Sequence, residues 1–159
     1  MGIIQYNYVL TAAVVSWCAA QIIKTMLHFL QTKKFSPERL FGAGGMPSSH
    51  SALVCSATVA MCRKCGVGSP EFAMSFLFAL VVMYDAMGVR RSAGLHAKEI
   101  NRLNRIFVVK GISSDSESDK QTESKRKKEF KEYLGHTPFE VLGGALLGIL
   151  ISMIIPVNI

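Results

Sequence analysis

The sequence predicts an all-α fold, an integral membrane bundle of about four transmembrane helices plus an interfacial amphipathic helix. Three observations carry that expectation. Half of the 159 residues are hydrophobic, and they gather in four runs instead of spreading evenly. Of the 18 Lys and Arg residues, 12 lie between Arg90 and Lys131, whereas Gly2 to Ile23 carries no charged side chain. The stretch Leu142 to Ile155 has one hydroxyl residue, Ser152, and no charge, where a soluble helix would show a polar face. Length suggests one domain over residues 1–159. Whole-chain disorder, collagen-like repeats and a disulfide-dense scaffold are excluded by the same composition.

The first run, Tyr8 to Leu30, is long enough to span a bilayer. Gln21, Lys24 and His28 interrupt it at i, i+3 and i+7, so they share one face that must look into protein or water. No basic n-region precedes Tyr8, which argues against a signal peptide. The second run, Ser48 to about Cys62, is rich in Ser, Ala and Val, small residues that let membrane helices approach closely. Ser69-Pro70-Glu71 is a start signal for the third, Phe72 to about Val89. The fourth, Pro138 to Val157, carries Gly143, Gly144 and Gly148 on a packing face, the last two as a GxxxG pair.

Cys18 and Cys55 sit in apolar runs as small hydrophobes. Cys62-Arg-Lys-Cys65 is a lone CxxC without a second pair, so a structural reading is preferred.

Loop charges orient the bundle. Lys33, Lys34 and Arg39 lie in the first loop, Arg63 and Lys64 in the second, and the twelve already counted in the third. Loops one and three share a side, which the positive-inside rule makes cytoplasmic, in the plasma membrane. Within loop three, Leu95 to Val108 sets His96, Ile100, Leu103 and Phe107 on one face and Lys98, Arg102 and Arg105 opposite, a pattern for a helix lying at anionic headgroups. Residues 111–128 have no large apolar residue after Ile112 and read as a disordered linker.

Polar residues with chemical potential gather on that same side. Gly44-Gly45-Met46-Pro47-Ser48-Ser49-His50 leads into the second helix, Asp85 and Arg90-Arg91 close the third, and Gly135-His136-Thr137-Pro138-Phe139-Glu140 opens the fourth. His136 and Glu140 are spaced i, i+4, so the carboxylate can reach the imidazole and raise the basicity of its far nitrogen. His50 lies in a first helical turn after a Gly-rich bend, where free N–H groups favour an anion. Arg90, Arg91, Arg39 and Lys24 are the cations available to neutralise a phosphoryl group. Two histidines, hydroxyls, backbone donors and several cations describe phosphoryl transfer without a metal or cofactor. The plainer alternatives are a hydrogen-bonded structural histidine at His50, a helix-start residue at His136, and an Asp85–Arg91 ion pair. A metal site of His50, His136, Glu140 and Asp85 is opposed by the nearby cations.

Gly45-Met46-Pro47-Ser48-Ser49-His50-Ser51 resembles the central Pro-Ser-Gly-His motif of the phosphatidic acid phosphatase type 2 superfamily, which includes vanadium-dependent haloperoxidases. Tyr133 to Gly144 is similar to its C-terminal motif, His-x-x-x-Asp followed by a Gly-rich helix. With Asp85-Ala86-Met87-Gly88-Val89-Arg90-Arg91 the pattern looks like the divergent bacterial and plant branch. The resemblance implies His136 as the nucleophile that forms a phosphohistidine, oriented by Glu140. It implies His50 as the acid for the leaving alkoxide, and Ser48, Ser49 and neighbouring amides as holders of phosphate oxygens. It also implies a lipid phosphate or diphosphate substrate and no metal. The alternative function is a non-catalytic lipid-phosphate binder or carrier. Membrane lipids are the expected partners, with a homo-oligomer allowed and nucleic acid not expected.

Departures from the pattern are specific. Ser49 stands for Gly and Glu140 for Asp. Seven residues after Lys24 comes Gln31, so Lys-x6-Arg-Pro is absent, and Phe130 occupies the Arg position before the nucleophile. Arg90 or Arg91 is the expected spatial substitute.

Overall fold

The computed structural model describes residues 7–33, 45–109 and 135–157. Arg39 and the 111–128 linker lie outside the described residues, as do Lys34 and Phe130. Among the described residues every regular element is helical. Asn7 caps α1 (Tyr8–Thr32) by accepting the Leu10 N–H, and Lys33 ends it in the left-handed region at φ 52°. Ser48 caps α2 (Ser49–Cys65), whose last turn holds Arg63 and Lys64, cations placed at the negative end of the helix dipole. Ser69 caps α3 (Pro70–Met87) with Pro70 in its first turn, where a missing N–H costs nothing. After Gly88 the chain turns directly into α4 (Val89–Val109). Thr137 and Glu140 close a reciprocal capping box at the start of α5 (Pro138–Ile154).

Large apolar side chains point outward, and small ones fill the interior. Ile22, Met26 and Phe29 on α1 are exposed, as are Leu77, Phe78 and Val81 on α3 and Leu142, Leu146 and Leu150 on α5. The largest fully buried side chains are serines, Ser16, Ser48, Ser51, Ser56 and Ser152. A water-soluble bundle would reverse this arrangement, because burying large apolar groups is its driving force. Lipid removes that force, and close packing of small residues takes over. Tyr8–Leu30 and the continuous stretch Pro70–Ile106 are long and apolar enough to cross a membrane, while Pro138–Ile154 is a shorter apolar helix.

The central helix is α2, packed on α1, α3 and α5. Helices α2 and α5 run parallel in register: a Cβ on Gly144 would lie 2.2 Å from the Ser48 carbonyl oxygen, and one on Gly148 2.2 Å from that of Ala52. The GxxxG pair is thus a backbone-to-backbone seam. Helix α1 runs antiparallel to them, with Tyr8 and Ala12 against Ala60 at one end and the Lys24 stem against Gly45 at the other.

Arg63 corrects its assignment to a loop. It lies in the last turn of α2, and its guanidinium donates to the Tyr8 hydroxyl (2.7 Å), to the Ile155 carbonyl (2.9 Å) and to the Ser152 carbonyl. Those carbonyls belong to the end of α5, where intrahelical donors have run out. Arg63→Met should therefore lower stability by about 1–2 kcal/mol. An unchanged melting midpoint in detergent would show that the cap contributes nothing.

Helix α4 keeps the amphipathic pattern of its sequence over a longer span. Leu95, Ile100 and Leu103 are exposed, and so are Lys98 and Arg102. The side chain of Phe107 lies outside the described residues.

Candidate active site

Three segments far apart in sequence meet at the end of the bundle opposite Arg63. Two backbone hydrogen bonds join them. Ser48 N–H donates to the Glu140 carbonyl (2.9 Å), tying the α2 entry to the first turn of α5. His136 N–H donates to the Ala86 carbonyl (3.0 Å), tying the α5 entry to the end of α3. Gly135, at φ +90°, completes the join: a Cβ there would lie 2.3 Å from the Arg91 backbone nitrogen. Glycine is needed both for the conformation and for the approach of the Arg90–Arg91 main chain.

His136 is buried, and its Nδ1 lies 3.1 Å from Glu140 Oε2. The same carboxylate oxygen accepts the Thr137 N–H at 3.0 Å. Held on one side by the helix start and facing the ring on the other, an ionised Glu140 accepts from Nδ1–H. That choice of tautomer leaves Nε2 with its lone pair free. Burial pulls the pKa of His136 below the ordinary imidazole range; Glu140 opposes this, and the positive charges of Lys24 and Arg90 reinforce it. This direction favours the neutral ring, with the Nε2 lone pair unprotonated.

His50 is exposed in the first turn of α2, within electrostatic reach of Arg90, His136 and Lys24. Ser48 is fully buried, and its hydroxyl accepts from the Ser51 N–H (3.4 Å) and the Ser51 hydroxyl (3.0 Å). It is first the cap of α2, and only its own proton is left for an anion. Ser49 is buried beside it. Lys24 is also buried, its aliphatic stem packed on Gly45 with the Cβ position 3.2 Å from its Cδ.

The cations sort themselves differently from the sequence expectation. Arg90, not Arg91, pairs with Asp85, Nε to Oδ2 at 2.5 Å. Helix α3 ends at Met87, so Asp85 sits within its last turn, and the break at Gly88 turns Arg90 back toward it. The pair is partly exposed and contributes little to stability. Arg91 places its backbone, not its guanidinium, against Gly135, and its side chain is exposed. Arg39 lies outside the described residues. Among the described residues no three His, Cys, Asp or Glu side chains gather.

Sequence reasoning missed the two backbone tethers and the second task of Glu140 in the capping box. The Thr137-x-x-Glu140 spacing was the available signal for the latter.

Comparison with known proteins assigns the family. No solved structure matches the chain. A curated relative, described as uncharacterized membrane protein YuiD of Bacillus subtilis (strain 168), is 37% identical over 149 residues, covering 94% of each chain. The sequence profile of the divergent PAP2 family matches residues 5–151, which include α1 to α4, α5 as far as Ile151 and both motif-bearing loops. The chain is a membrane protein and belongs to the divergent PAP2 family.

Proposed function

We propose that this protein is a metal-independent phosphatase of the plasma membrane, acting on a lipid phosphate or diphosphate at the cytoplasmic face. The observation that carries the reading is the buried His136–Glu140 dyad facing His50 beneath the charges of Lys24 and Arg90.

Nε2 of His136 attacks phosphorus, forming an N–P bond as the bond from phosphorus to the alcohol oxygen breaks. His50 gives its proton to the departing alkoxide. Water then attacks the phosphohistidine, His50 takes its proton, and phosphate leaves with Nε2 restored. Lys24 and Arg90 offset the charge on the equatorial oxygens, with the N–H groups at the start of α2 beside them. The carboxylate of Glu140 stabilises the positive ring of the intermediate.

The test is phosphate release by the purified protein from prenyl and glycerolipid phosphates, with a chelator and with His136→Ala alongside. Release should survive chelator and vanish in the variant. Because His136 is held neutral, its acid limb should fall below the ordinary histidine range, about pH 6.5. A limb well above that would place a different group in the rate-determining role.

A second reading has its own observation. Asp85 already engages Arg90, which weakens the nearest guanidinium as a phosphate ligand. A carrier that binds the headgroup without hydrolysis fits that weakening, and it would bind vanadate or lipid phosphate while releasing none.

A further inference from the structure

Helices α3 and α5 touch sparingly, and a groove opens between them. It consists of two apolar cavities, each of about 670 Å³, set end to end. The two share Leu80, Met83 and Ala145 as a common waist. One runs toward the candidate site, where Met87, Pro138 and Val141 form its walls. Met87 follows Ala86, the acceptor of the His136 N–H, and Val141 follows Glu140. The other runs away to Phe72 and Met153 at the far end of the bundle. Its polar walls come from α2: the Thr58 hydroxyl is satisfied by the Val54 (2.8 Å) and Ser75 (3.2 Å) carbonyls and the Arg63 guanidinium by Tyr8 and the end of α5, so neither asks anything of an occupant.

From Pro138 to Met153 the groove follows about 22 Å of α5 at 1.5 Å per residue. One leaflet of hydrocarbon is about 15 Å deep, half of a core about 30 Å thick. The track is therefore longer than a leaflet. It is also single file: the cavities meet through one waist and do not lie side by side. A two-chain glycerolipid could seat one chain there and would leave the other outside.

We propose that this groove holds one long hydrocarbon chain, and that the lipid recognised is a single-chain, prenyl-type phosphate. The proposal rests on the reading of the site as a lipid-phosphate site, since the groove ends at Met87, Pro138 and Val141, chain neighbours of the residues that build that site, and this is what assigns its occupant. The chain lies between α3 and α5, its phosphate among His136, His50, Lys24 and Arg90, and it enters sideways from the bilayer. Ala145 and Leu80 determine how far it reaches.

The experiment compares phosphate release from geranyl, geranylgeranyl and undecaprenyl phosphates and from dioleoyl phosphatidic acid. Wild type is set beside Ala145→Phe, which fills the waist from α5, and Leu80→Trp, which narrows it from the lipid-exposed side of α3 and spares the α2–α5 seam. Wild type should prefer the longer prenyl chains, and the two variants should lower the long-to-short ratio of kcat/KM about tenfold or more. A preference for the glycerolipid, or an unchanged ratio in a folded variant, overturns the groove. If wild type releases phosphate from nothing, the phosphatase reading fails by itself. The groove is then read by crosslinking with a photoreactive geranylgeranyl phosphate. Labelling of residues 80–87 and 138–145 that is lost in Leu80→Trp supports it; labelling elsewhere, or a crosslink between two copies of the chain through this face, overturns it.

Discussion

Glu140→Gln should lower phosphate release by about 10²- to 10⁴-fold while leaving the helix that carries it intact. Two consequences of one substitution separate here. Gln at the third position of a helix still closes a capping box, so α5 should begin where it does now, and the melting midpoint should shift little. The chemistry fares worse. A neutral amide oxygen must serve both the Thr137 N–H and the His136 Nδ1–H, bonds that the carboxylate accepts at 3.0 and 3.1 Å. The amide also cannot offset the positive charge on a phosphorylated ring. The acid limb should move further down, because Glu140 is what partly counters the burial of His136. Glu140→Asp, one methylene shorter, should recover part of the loss. Equal turnover in Gln and wild type would reduce Glu140 to a capping residue.

Gly148→Ala and Gly144→Ala should both destabilise the bundle, by about 1–3 kcal/mol each, despite a gain of about 1 kcal/mol in helix propensity. The overlap decides the sign. Each new methyl would sit 2.2 Å from a carbonyl oxygen of α2, and that oxygen belongs to backbone that cannot swing aside. The helices must part along their whole seam. Function should distinguish the two positions. Gly144 faces the Ser48 carbonyl at the site, whereas Gly148 faces Ala52 one turn deeper. Gly144→Ala should push Ser48 and His50 away from His136 and cost more turnover than Gly148→Ala at equal loss of stability. Thermal melting in detergent, measured beside phosphate release, separates the effects. A thermally stable Gly148→Ala would mean the seam is looser than drawn.

Much of this architecture could be read from local signals. Ser69-Pro70 marks the start of α3, Thr137-Pro138 the start of α5, and Gly144-x-x-x-Gly148 the seam, because caps and close packing are written within a few residues. The convergence of residues 45–50, 85–91 and 135–140 was likewise legible from hydropathy alone, which requires alternate loops to share a side. What escaped was pairing through space. Arg63 looks like an ordinary loop charge until the end of α5, some 90 residues later, arrives beside it. The choice between Arg90 and Arg91 as the partner of Asp85 depends on how the chain turns at Gly88, where neither periodicity nor charge gives a direction.

The two bonds that join the segments of the site, Ser48 N–H to Glu140 O and His136 N–H to Ala86 O, are made entirely by main-chain atoms. Their strength does not depend on which side chains those positions carry. Replacing the reactive histidine side chains should thus disarm the site and leave its frame standing. Catalytically silent forms of this protein become natural traps, in which an intact lipid could sit uncleaved long enough to be seen.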